Sequence, residues 1–141
     1  MRALRWLQPV IALALLAGVA ADVSAQDKLP AKMSGKWSGT TPGKGTPFGG
    51  AWSVVIDKQG PDGSIEGKVT WEGRICAMDN EPITGKLDGS QLTIVAQFRD
   101  KMPNAGCQKA NLVLKKKGTG NDFEGTIPGS QFNYQLTLGP S

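Results

Sequence analysis

Few side chains in this sequence could do covalent or metal chemistry. The 141-residue chain holds 12 Asp and Glu residues and 2 cysteines, but no histidine. Without an imidazole there is no Ser-His or Cys-His nucleophilic centre and no histidine-built zinc site. Two cysteines are too few for a zinc ribbon or an iron–sulfur cluster. Asp79 and Glu81 share one expected connecting segment, and Glu72 lies just before it. They would serve glycoside chemistry only with a sugar-binding cleft and one carboxyl held protonated. A calcium loop around Asp79, Asn80 and Glu81 lacks the further oxygen ligands at fixed spacing. These groups read as solvated loop charges. No catalytic residue, metal site or cofactor is expected, and the protein is not expected to be an enzyme.

Binding chemistry remains, and the aromatic residues carry it. Trp37, Trp52, Trp71, Phe98, Phe123 and Tyr134 all fall on the apolar side of alternating segments. They either pack a core or line an apolar pocket in which Tyr134 offers a hydroxyl. Phe48 stands in the Gly- and Pro-rich stretch 41–50, either as a lid or contact residue or folded back as a cap. The candidate ligand-binding residues are therefore Trp37, Phe48, Trp52, Trp71, Phe98 and Tyr134.

The elements that must position them have period two, with no amphipathic helix in sight. From Ile65 to Glu72 one face reads Ile, Gly, Val, Trp and the other Glu, Lys, Thr, Glu. Leu92, Ile94, Ala96 and Phe98 alternate with polar residues or Val95, as do Phe132, Tyr134, Leu136 and Leu138 with Asn133, Gln135 and Thr137. The expected strands are 33–40, 51–58, 64–72, 82–88, 91–98, 107–117, 122–127 and 131–138. Turn signals separate several of them: Pro61-Asp62-Gly63, Asp88-Gly89, Gly118 to Asn121 and Pro128-Gly129-Ser130. Short antiparallel strands with one apolar face close most simply into an eight-stranded up-and-down meander barrel, which also removes sheet edges. A weak repeat (apolar, any, Gly, polar, apolar) places Gly35, Gly67, Gly85 and Gly125 on the inner face. There they allow a small barrel to bend or leave room for a ligand.

In a meander the expected long connections, 41–50, 73–81 and 99–106, share one end. Cys76 and Cys107 both fall at that end, and one disulfide between them is expected. At the N-terminus, Arg2 and Arg5 precede an apolar run from Val10 to Ala20, and Val23-Ser24-Ala25 has the small residues of a cleavage site. This reads as a signal peptide over 1–25, cut before Gln26, leaving a tail over 26–32 and a barrel over 33–141. The apolar run is too short to span a bilayer, so the mature chain carries no membrane span, and the protein is expected in the periplasm or outside the cell. The formal charge of +4 is mild, and Lys115-Lys116-Lys117 is too short and too poor in aromatic neighbours for a nucleic-acid groove.

Gly35-Lys36-Trp37 near the start of the first strand resembles the GxW signature of the lipocalin and avidin group of barrels. That resemblance implies a Trp that closes one barrel end from inside, and a small apolar ligand. Leu29-Pro30 followed by Met33 to Trp37 also resembles the N-terminal tail and first strand of small secreted inhibitors of bacterial metalloproteases. This second resemblance implies a protease partner, engaged by the tail together with the long loops. The two expectations are a non-enzymatic carrier of a small apolar molecule and, as the alternative, an inhibitor of a secreted protein such as a protease.

Overall fold

The structure is a computed structural model that describes residues 28–45 and 47–141. The expected signal peptide and its cleavage point lie outside the described residues. The described residues form nine strands: β1 Lys32–Thr40, β2 Pro47–Gln59, β3 Ser64–Trp71, β4 Cys76–Asp88, β5 Gln91–Gln97, β6 Arg99–Asp100, β7 Lys109–Lys116, β8 Phe123–Thr126 and β9 Asn133–Pro140. All pairings are antiparallel, and each long strand pairs with its neighbours along the chain. Pairing of β1 with β9 closes the eight long strands into a meander barrel, while two-residue β6 pairs only with the start of β4. Among the described residues no helix is long and apolar enough to cross a membrane.

Alternation builds the wall. Met33, Val54, Ile65, Leu87, Leu92, Ile94, Leu112, Leu114, Leu136 and Leu138 point inward and are at most 2% exposed, and among the described residues no polar residue is buried. One end is shut by tight turns. Gly63, at φ 89°, donates to the Gly60 carbonyl, and Asp62 accepts from the Ser64 amide and hydroxyl. Gly89, at φ 63°, turns β4 into β5 across two residues.

The inward glycines are places where neighbouring backbone presses in. A Cβ on Gly35, Gly67, Gly85 or Gly125 would run into a carbonyl oxygen of the adjoining strand, so these positions give the barrel curvature and not an internal void. Two glycines also serve tryptophans. Gly35 pairs with Trp52, whose Nε1 reaches across β1 to donate to the Thr137 carbonyl at 2.9 Å. Gly50 pairs with Trp37, whose Nε1 reaches past β2 to the Glu72 carbonyl at 2.9 Å. Each indole bridges to a segment beyond its paired strand, over the partner that has no side chain.

Several expected boundaries need correction. β2 begins at Pro47, so Phe48 sits on a strand paired with Gly39 and not in a free loop. β4 begins at Cys76, so no long loop spans 73–81. Its register shifts between Val69 and Trp71, where Asn80 adopts φ 53° and donates from its amide to Thr70 Oγ1. This bulge interrupts the alternation and puts the polar run Asp79-Asn80-Glu81 on strand backbone. β7 starts at Lys109 because the preceding residues form β6 and a loop, and β8 is shorter than expected. The tail is not a free arm over its described part. Leu29 is 4% exposed within the core, its amide donates to Gln59 Oε1, and the Ala31 carbonyl accepts from the Ile56 amide.

Candidate functional site: the aromatic mouth of the barrel

The connections 41–45, 72–75, 101–108 and 127–132 meet at the end opposite the tight turns. The disulfide Cys76–Cys107 clamps this end, with Cα atoms 5.7 Å apart, and fits an oxidising compartment. Around it, Asp100 accepts amide hydrogens from Cys107 at 2.7 Å and Gly106 at 3.3 Å, and the Lys101 amide donates to the Ile75 carbonyl. The 101–108 loop is therefore tied to the β3–β4 turn by backbone bonds as well as by sulfur.

All six candidate ligand-binding residues belong to one connected stack of rings below and within this mouth. Trp37 stacks on Trp71 at 4.8 Å and 20°, and Trp71 meets Trp52 at 5.5 Å and Phe98 edge-on at 5.1 Å. Trp52 and Trp71 are 2% exposed, Trp37 7% and Phe98 8%, so these four form the floor. Above them Phe48 contacts Trp37 at 5.9 Å and Tyr134 at 6.2 Å, and Tyr134 contacts Trp37 at 6.0 Å. Tyr134 is half-buried, and desolvation raises its hydroxyl pKa above the ordinary 10.0, so the phenol is neutral at physiological pH. Phe48 is 36% exposed.

The cause of this gradient lies in Gly39. It pairs with Phe48 on one side and Tyr134 on the other, and a Cβ there would lie 2.7 Å from the Phe48 ring and 3.3 Å from that of Tyr134. The missing side chain lets two rings from β2 and β9 converge over β1. A seventh ring, Phe132, joins them at 5.5 Å from Phe48 and 6.1 Å from Tyr134. Its spacing of two from Tyr134 is the signal that could have found it. Phe123 lies apart, paired with Leu138 near the tight-turn end.

Glu72 and Asp79 are exposed, and Glu81 accepts an ion pair from Arg99 at 3.5 Å. Among the described residues no group of His, Cys, Asp or Glu could hold a metal ion. Ile75 and Met102 are 54% and 53% exposed at the loop tips beside the disulfide. The tail lies at the opposite end from all of this: nine-residue β1 separates it from the mouth by roughly 26 Å. The closed eight-stranded antiparallel barrel is consistent with a calycin-like barrel in general. No family model, curated protein or solved structure matches the chain.

Proposed function

We propose that the protein is a non-enzymatic binding protein, exported through a cleaved signal peptide, that holds a small apolar ligand at the looped mouth of its barrel. One observation carries this reading. Three aromatic side chains, Phe48, Phe132 and Tyr134, are held in mutual contact yet left partly exposed at one end of a barrel whose deeper side chains are closed to solvent. Partly exposed rings on a rigid floor offer contact area with little ordering cost on binding. The ligand thus sits on the mouth, above the Trp37–Trp71 stack.

The test is a titration with the neutral apolar dye N-phenyl-1-naphthylamine. Saturable one-to-one binding is expected, weakened about tenfold or more by Phe48→Ser. A dye that does not bind, or binds Phe48→Ser equally well, overturns the reading.

A second reading has its own support. The exposed Ile75 and Met102, with Arg74 and Lys101 beside them, favour docking of a secreted protein, such as a protease, on the loop tips. A partner whose binding is lost in Ile75→Ser/Met102→Ser but kept in Phe48→Ser would select this reading.

A further inference from the structure

The outer rings of the mouth have a geometry that narrows the ligand class. Phe48 and Phe132 are inclined at 85°, Phe48 and Tyr134 at 85°, and Phe132 and Tyr134 at 83°, with centroids 5.5, 6.2 and 6.1 Å apart. Three planes at right angles are the walls of a corner. Trp37, within 6.0 Å of both Phe48 and Tyr134, lies beneath it. A flat molecule stacks on one such wall at a time, whereas a compact, rounded group can meet all of them.

The polar inventory of the corner points the same way. Two of the walls are phenylalanines. The Trp37 indole N–H is already given to the Glu72 carbonyl. The Tyr134 hydroxyl is the one polar group the four rings have left. A primary ammonium brings three N–H groups and would leave most of them without acceptors, at a cost. A quaternary ammonium brings none, and its charge is attracted by the electron-rich faces of aromatic rings.

We infer that Phe48, Phe132 and Tyr134, above Trp37, form a cation–π cage for a quaternary ammonium head group of the choline or betaine kind. The inference rests on the mouth being the ligand site and narrows its ligand to one whose apolar surface is the methyl shell of a cation. The cage is assembled from β2, β9 and the turn before β9, joined through Gly39 of β1.

The experiment compares choline with its neutral isostere 3,3-dimethyl-1-butanol at matched ionic strength, followed by tryptophan fluorescence and calorimetry on the purified protein. Choline is expected to bind about tenfold more tightly than the isostere. Phe132→Leu, at a half-exposed position, keeps an apolar side chain and a folded barrel and should lose most of that preference. Tyr134→Phe retains the ring and should keep it. Equal binding of choline and isostere overturns the cage while leaving an apolar mouth site standing. Binding of neither overturns both. A preference for choline that survives Phe132→Leu unchanged also overturns the cage.

Discussion

Gly35→Ala tests how the barrel seats its tryptophans. The new methyl group would collide with the Thr137 carbonyl, the atom that accepts the Trp52 Nε1 hydrogen bond. Both partners are backbone-anchored, so relief must come from moving β1 against β9 or from expelling the indole. Overpacking a filled site costs about 1–3 kcal/mol. Leaving a buried indole N–H unpaired costs roughly another 1–3 kcal/mol. A destabilisation of about 2–6 kcal/mol in urea unfolding follows, with the thermal midpoint lowered by roughly 8–24 °C for a domain of this size. Gly120→Ala is the control: nothing lies within 4 Å of a Cβ there, so its stability should stay within about 0.5 kcal/mol of the parent. The sharper readout is a double-mutant cycle with Trp52→Phe. Since Gly35→Ala has already broken the bond to Thr137, Trp52→Phe should cost about 1–2 kcal/mol less in that background than in the parent. A Gly35→Ala protein within about 1 kcal/mol of the parent, or strict additivity with Trp52→Phe, would refute the bridging role.

Three further outcomes are expected. Replacing both Cys76 and Cys107 by Ser opens a loop of sequence separation 31 and should cost roughly 3–4 kcal/mol on the chain-entropy model, with the far-ultraviolet spectrum of the closed barrel retained; loss of that spectrum at low temperature would contradict an independently closed ladder. Tyr134 is the single tyrosine, so phenolate absorbance at 295 nm titrates it alone. Its midpoint should lie above 10.0 in the native protein and fall to the ordinary value in guanidinium, because burial disfavours the phenolate only when folded. The unfolded chain then releases this proton first, so the contribution is intact below pH 10, is lost as pH rises through the native midpoint, and vanishes in Tyr134→Phe. Leu29→Ala should destabilise the fold by about 2–3 kcal/mol, since Leu29 is 4% exposed in the core; a neutral result would mean that the tail is not part of the packed domain.

What could be read from the chain in advance follows from what is local in it. The inward residues of β3, β5 and β9 announce themselves by alternation, and the turns at Gly63 and Gly89 by residue types that accept positive φ. The two cysteines meet because a meander returns every second connection to one end. The missed features are those set by register. The bulge opposite Thr70 turns Asp79-Asn80-Glu81 from an apparent loop into strand, and no periodicity marks it beforehand. Trp52 and Thr137 lie 85 residues apart, and Trp37 and Glu72 lie 35 apart; both bonds exist only because a glycine is paired opposite each indole. The mouth depends on closure in the same way. Phe48 and Tyr134 belong to β2 and β9, and they touch because β1 pairs with both while contributing Gly39 between them. Apart from Phe48, which stands in a Gly- and Pro-rich stretch, the individual aromatic residues are visible from their spacing, but their corner is a property of the closed sheet. Any substitution that unzips β1 from β9 should remove the site and the barrel together, whereas Phe132→Leu, outside every strand, should alter the site alone.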